Sequence, residues 1–396
     1  MAIFCAAPGR AQTAQGAQAP SRRARAASSK VAKGPLPLFP TQPLWTLALN
    51  NALTAPPAYD ATRGYFAIDG GRLVAYDLVT GTQLWIADAA TDSTPAAGED
   101  LVFVAEPDRI VALHARDGSP AWALPFAERL VVPLVWDTGW LIAATTDGAV
   151  IALRASDGHR LWRRALGSPA HAQPALAGDR VYVPVEDGRV VALTLQDGAP
   201  EWEYRLGGPP GDILALVDRL YVGSRDNFFY CLSTKDGTPF WRWRTGGDVI
   251  GMPALDERSV YFVSLDNVLR ALNPHSGVQR WFVALSFRPT GGAVRAADQV
   301  FVPGPVTSVS GYSARDGKPG GELPAGGEMA APPHVLARTD TEGPIVFIVV
   351  RDIAKGASVV AVVHSLEPAI VPVSPLPNPV TVTPLAAPPP ADRPRP

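Results

Sequence analysis

Cysteine is nearly missing from this sequence. It occurs twice, as Cys5 and Cys231, in contexts too different to pair, so neither a disulfide framework nor a paired-cysteine zinc site is expected. An excess of one charge is missing too. Thirty-five Lys and Arg stand against 37 Asp and Glu, a net charge of −2. That balance argues against a broad electrostatic footprint on nucleic acid or an anionic membrane. The basic stretch Arg22, Arg23, Arg25 and Lys30 lies in a polar N-terminal region and reads as solvated linker. No run of 18 apolar residues occurs, so no membrane-spanning helix is expected. The histidines (His114, His159, His171, His275, His334 and His364) lack metal-ligand spacing, and Ser308-Val-Ser-Gly311 is no nucleophile elbow. No catalytic residue, metal site or cofactor is therefore assigned.

What the sequence does hold is turns and apolar residues. There are 41 prolines and 36 glycines, and 47% of residues are hydrophobic against 18% charged, enough to bury a large core. The turns are periodic. A glycine followed four residues later by tryptophan recurs as Gly81/Trp85, Gly118/Trp122, Gly158/Trp162, Gly198/Trp202, Gly237/Trp241 and Gly277/Trp281. Successive tryptophans are 37, 40, 40, 39 and 40 residues apart, and Trp45 stands 40 residues ahead of Trp85. A fixed period of this length marks a repeat architecture.

Each unit follows one plan. A short extended segment such as Pro174-Ala175 precedes an apolar strand such as Arg180-Val-Tyr-Val-Pro184. Asp147-Gly148, Asp187-Gly188, Asp226-Asn227 or Asp266-Asn267 then supplies residues that tolerate positive φ, as a two-residue hairpin requires. A second apolar strand (Val190 to Leu193) leads through a glycine turn into the strand that bears the tryptophan. Four short strands per unit is the content of one propeller blade. Tryptophan suits the blade edge because its apolar body bridges two units while its N–H reaches a backbone carbonyl. Ala112, Ala152, Ala192 and Ala271 fall ten residues before their tryptophans, small residues on which a ring is expected to dock. Cys231 takes that slot in its own unit and reads as a packing residue.

The pattern Ala75-x-Asp77-x-x-Thr80-Gly81-x-x-x-Trp85, repeated in part by the next five units, resembles the tryptophan-docking repeat of the PQQ-like, quinoprotein-type propellers. The resemblance covers roughly residues 43–366. It implies an all-β propeller with Trp45, Trp85, Trp122, Trp162, Trp202, Trp241 and Trp281 as blade-docking residues. The seventh unit keeps Asp316-Gly317 but has Gly321 where tryptophan belongs, and the unit around Val346 to His364 has neither turn nor ring. Eight four-stranded blades are expected. The last takes three strands from about 328–366 and its outer strand from Leu44 to Leu49, joining the chain ends. The alternative is seven blades with 323–366 as an appendage.

In size and layout the chain is similar to the propeller lipoproteins of outer-membrane β-barrel assembly. That likeness implies a non-enzymatic periplasmic scaffold, associated with the outer membrane, that binds a protein partner as a monomer and binds no nucleic acid. Two alternatives remain, a ligand- or polymer-binding sensor propeller and a PQQ-dependent dehydrogenase. The dehydrogenases hold quinone and calcium with carboxylates and often a vicinal cysteine pair, which this sequence lacks. Met1 to Ala19, with Ala17-Gln-Ala19, resembles the back half of a secretory signal, and a disordered extension is its alternative. Phe4 is bulky for a residue preceding a lipidated cysteine at Cys5. Residues 1–40 are expected to be signal remnant and linker, 41–366 the propeller, and 367–396 a proline-rich disordered tail. Candidate partner contacts are Arg225, Phe228, Phe229 and Trp243, because aromatics and arginine break the repeat there. Trp136 and Trp140 also lie outside the tryptophan comb.

Overall fold

The computed structural model describes residues 36–339, 342–352 and 356–365. The signal-like N-terminus with Cys5, the linker through residue 35 and the proline-rich tail lie outside the described residues. Eight antiparallel sheets follow one another along the chain as the blades of a propeller. Blade one is built of Ala58–Tyr59, Arg63–Ile68, Arg72–Asp77 and Gln83–Asp88, paired in sequence order. Blades two to seven repeat this meander, ending in the outer strands Pro120–Pro125, Arg160–Ala165, Pro200–Arg205, Pro239–Arg244, Gln279–Ala284 and Pro319–Pro324. The first strands of neighbouring blades lie against one another, which places them innermost.

The eighth blade closes the ring with both ends of the chain. The N-terminal strand Thr41–Ala48 pairs with Gly356–His364, from Thr41 opposite His364 to Ala48 opposite Ser358, and the latter pairs with Ile345–Asp352. The innermost strand of this blade is split into Glu328–Met329 and His334–Leu336, both paired with Ile345–Asp352. Pro332 and Pro333, which have no N–H to give a ladder, stand in the break. Eight blades, not seven with an appendage, is the observed count.

The hairpins differ from the two-residue form expected. Thr145 pairs with Ala149 and accepts from the Gly148 N–H, so the loop encloses three residues with Gly148 alone left-handed at φ 80°. The hairpin from Ser264 to Val268 does the same with Asn267 at φ 60°. A type I turn completed by one left-handed residue needs a single glycine or asparagine, which is what each Asp-Gly or Asp-Asn supplies.

Docking is also one blade out of step with the expectation. Ala112 is the cross-strand neighbour of Trp122, and Ala75 that of Trp85, so alanine lies beside the ring and does not receive it. The ring lies on the glycine of the next blade: Trp45 on Gly81, Trp85 on Gly118, Trp122 on Gly158, Trp162 on Gly198, Trp202 on Gly237, Trp241 on Gly277 and Trp281 on Gly317. Every one of these indole N–H groups donates to a carbonyl of that same next-blade turn, for example Trp85 to Ala115 at 2.9 Å and Trp162 to Leu195 at 2.7 Å. Burying an indole removes on the order of 150–250 Å² from water, about 4–6 kcal/mol of gross transfer free energy per seam.

Candidate functional site: blade five and the channel mouth

The candidate contact residues all belong to blade five, whose middle strands Arg219–Ser224 and Phe228–Ser233 meet at a hairpin. Arg225 is exposed at its tip. Beside it the Asp226 carboxylate accepts from the Gly207 N–H at 2.8 Å, the Phe228 N–H at 3.0 Å and the Tyr230 hydroxyl at 2.6 Å, fixing the turn. Phe228 is half-buried towards blade four, with the Arg242 guanidinium 5.0 Å above its ring. Phe229 points the other way. It is fully buried and stacks on Phe262 of blade six at 4.0 Å, so it is a core residue and offers no contact surface. Trp243, opposite Phe229 in register, packs half-buried against the same blade-six cluster. The four residues therefore occupy the tip and both faces of one blade and form no single patch. Cys231 lies fully buried in the same blade, and burial pushes its thiol up to about 12, which keeps it protonated.

A second location brings more polar chemistry together. The inner strands of blades eight, one, two and three, with the turns that follow them in blades one and two, line a cleft of about 670 Å³. Its lining includes Tyr59, Arg63, Gly98, Glu99, Trp136 and His334. Tyr59 and His334 stack face to face at 3.8 Å and 4°, joining blade one to blade eight. Trp136, from the inner strand of blade three, lies over Gly98 of blade two, where any side chain would overlap its ring. Neither the Tyr59 hydroxyl nor the Trp136 Nε1 has a hydrogen-bond partner, although both atoms are buried. Burial raises the Tyr59 phenol above its ordinary range and pushes the His334 imidazole down to about 4, so His334 is neutral at pH 7. Burial alone would raise the Asp60 carboxyl. Hydrogen bonds from the Tyr65 hydroxyl at 2.6 Å, the Thr62 N–H and Arg63 outweigh it and hold that group below its usual value.

The rim carries free charge. Glu99 and Asp100 are exposed in the turn after the inner strand of blade two, and neither carboxylate has an ion-pair partner among the described residues. Arg63 is tied to Asp60 at 3.3 Å. Among the described residues no group of three His, Cys, Asp or Glu stands placed to hold a metal ion. Of this cleft only Trp136 stood out in the sequence, as a tryptophan off the 40-residue comb. Tyr59 and His334 belong to short inner strands that carry no repeat signature.

Tryptophan on next-blade glycine, eight blades and closure by both chain ends define a tryptophan-docked β-propeller of the PQQ-like repeat type. The sequence model of the family described as outer membrane protein assembly factor BamB matches residues 40–130, 69–215 and 213–329, and the chain belongs to that family. Among curated proteins it is similar to outer membrane protein assembly factor BamB of Nitrosomonas eutropha (strain DSM 101675 / C91 / Nm57), 30% identical over 129 residues. That alignment takes in 32% of this chain and 32% of the relative, so the match spans about a third of the relative's length. Among solved structures it is similar to BamB from Moraxella catarrhalis, with a TM-score of 0.66, 17% identity, and 81% of this chain and 99% of that one covered. Quinohemoprotein alcohol dehydrogenase from Comamonas testosteroni gives a TM-score of 0.64 at 14% identity, covering 84% of this chain and 78% of the enzyme. At such identities these two structures speak to the fold alone.

Proposed function

We propose that this chain is a non-enzymatic scaffold of the periplasmic side of the outer membrane that binds a protein partner during outer-membrane protein assembly. The observation that carries this reading is the family match, whose overlapping segments run through seven of the eight blades. The fold supports it. Docked blades make a rigid ring, and rigid rings present turns and loops as contact surfaces. No helix among the described residues is long and apolar enough to cross a membrane. The protein acts as a monomer, with the residues before the ring serving as linker and the proline-rich residues after it as a tail.

The test is capture of the full chain, tagged at its C-terminus, from crosslinked cells, with partners identified by mass spectrometry. Recovery of an integral outer-membrane assembly subunit is the expected result. Recovery of cytoplasmic proteins alone would overturn both the location and the role.

A further inference from the structure

The hairpin turns of blades three, four and six neutralise arginines of their own blade. Asp147 pairs with Arg163 at 2.5 Å, Asp187 with Arg189 at 2.8 Å and Asp266 with Arg270 at 2.6 Å. Blade five breaks that rule. Its hairpin carboxylate, Asp226, is already taken by the Gly207 and Phe228 N–H groups and the Tyr230 hydroxyl. Its outer strand Pro239–Arg244 meanwhile carries Arg242 and Arg244, both exposed and neither in an ion pair among the described residues.

Register places both arginines on one face. Arg242 is the cross-strand neighbour of Tyr230 and Arg244 that of Phe228, so both leave the strand on the side that faces blade four. Trp241 and Trp243, which alternate with them, serve the other side. Tyr204 reaches the same seam from the outer strand of blade four, two residues beyond Trp202, whose ring lies on Gly237 of blade five. Arg225, a third guanidinium without an ion pair among the described residues, stands at the hairpin tip of this blade.

These features select a chemistry. A guanidinium stacked on a ring, as Arg242 is on Phe228 at 5.0 Å, keeps its in-plane N–H donors for an anion, and their fork matches a carboxylate. Residues two apart on a strand stand about 7 Å from one another. An extended chain with acidic residues at alternate positions presents its carboxylates at that same spacing and on one side. A planar anionic lipid surface fits less well. The exposed carboxylates of Glu201 and Glu203 lie on the far side of the neighbouring outer strand, where a plane of headgroups would meet them and a single segment would not. We propose that the rim of the seam between blades four and five receives an extended acidic segment of the protein partner, whose carboxylates at alternate residues meet Arg242 and Arg244. This inference rests on the scaffold reading and names the chemistry of the partner's contact.

The probe is the capped peptide acetyl-Gly-Glu-Gly-Glu-Gly-amide, titrated at low salt into full-length protein labelled with ¹⁵N-arginine. The Arg242 and Arg244 Nε–H resonances are assigned by their loss in Arg242→Gln and Arg244→Gln. The expected result is a saturable shift of both, while ion-paired arginines such as Arg270 stay in place. The isomer acetyl-Gly-Glu-Glu-Gly-Gly-amide carries the same charge but turns its carboxylates to opposite sides when extended, and should bind roughly threefold more weakly. Replacing both arginines by glutamine should weaken binding of the first peptide roughly fivefold to tenfold, as loss of two exposed ion pairs does. Arginines of merely structural role would lower the unfolding midpoint on replacement and leave peptide affinity unchanged. The proposal is overturned if no saturable shift appears at millimolar peptide, if the isomer binds as tightly, or if the double variant binds unchanged. It is equally overturned if phosphatidylglycerol vesicles shift the two resonances and the peptide does not, which would assign the arginines to a membrane. Capture from crosslinked cells separates the two readings. A partner recovered equally well by the double variant sinks the seam proposal alone, whereas peptide binding without any captured assembly subunit sinks the scaffold reading alone.

Discussion

Phe39 lies in the place where the seventh blade lacks its tryptophan: a methyl group built on Gly321 would stand 2.7 Å from the Phe39 ring. A methyl on Gly311, the cross-strand neighbour of Gly321, would be as close. Two facing glycines thus form a socket, and the segment ahead of the closing strand provides the plug, edge-on to Phe301 at 6.2 Å. Its neighbours hold it there. Leu38 is fully buried and donates to Asp298 at 2.9 Å, and the Ser365 N–H donates to the Pro40 carbonyl at 2.8 Å. The seam between blades seven and eight is sealed by the N-terminal strap in place of an indole. Phe39→Ala should cost about 1–3 kcal/mol, less than a fully buried phenylalanine because the ring is only half-buried. Gly321→Ala should destabilise as well, although it adds a carbon, because the socket is filled. Urea unfolding followed by tryptophan fluorescence measures both, and unchanged midpoints would show that the seam is held by the closing strand alone.

The ring-on-glycine joints make a sharper comparison. Gly118 and Gly167 are both left-handed, at φ 71° and 81°, so alanine at either pays the same backbone penalty of about 1 kcal/mol. Around Gly167 nothing lies within 4 Å of the added methyl, whereas at Gly118 the methyl would stand 2.6 Å from Trp85 Cε3. Trp85 is fully buried and has no room to yield. Gly118→Ala should therefore cost about 2–4 kcal/mol and Gly167→Ala only about 1, a difference readable in paired unfolding curves. Equal losses would mean the glycine is required for its backbone angle and not as a platform.

Blade number and closure were legible in the sequence because each blade repeats the same local solution, and a period of about 40 residues survives the drift of individual positions. Alternation and Asp-Gly pairs placed the strands, yet they could not say which blade a glycine serves, since docking crosses from one unit to the next. Phe39 was hidden for a related reason. It lies outside the repeat and acts only after residues 41–48 have met residues 356–364 across the whole chain. The cleft suffers the same difficulty. Tyr59, Gly98, Trp136 and His334 come from four blades, and nothing local links them. Blade five's aromatic run left core packing and partner contact both open, because alternation along a strand hides half its residues: Phe229 is core, and Phe228 is half-buried.

His334 gives stability a defined dependence on pH. Its folded pKa is about 4, below the 6.5 of an unperturbed histidine, because burial disfavours the imidazolium. Above pH 6.5 both folded and unfolded chains hold it neutral and it has no effect. As pH falls below 6.5 the unfolded chain takes up a proton that the folded chain refuses, so stability drops until about pH 4, where the folded form protonates too. The full effect is of the order of 3 kcal/mol. His334→Phe, which preserves a ring against Tyr59, should flatten the unfolding midpoint between pH 6.5 and 4.5. A slope identical to that of the parent protein would place the titrating group elsewhere.

Blade five separates contact from core by two readouts. Phe229→Ala removes a ring packed on Phe262 and should destabilise by about 3–5 kcal/mol, lowering any partner capture only through unfolding. Arg225→Ala removes an exposed guanidinium from the hairpin tip, and a surface change of this kind stays within about 0.5 kcal/mol of the parent. If the tip touches the partner, Arg225→Ala lowers capture from crosslinked cells at unchanged stability. Phe228→Ala should lie between the two: its ring is half-buried under Arg242, so it loses some stability and exposes whether that face is also read. Capture that survives Arg225→Ala but falls with Glu99→Gln and Asp100→Asn would move the partner from the rim of blade five to the channel mouth. Salt separates the kinds of contact as well. An acidic rim such as that of Glu99 and Asp100 loses affinity for a cationic segment as ionic strength rises, whereas an apolar contact through the Phe228 ring holds its affinity.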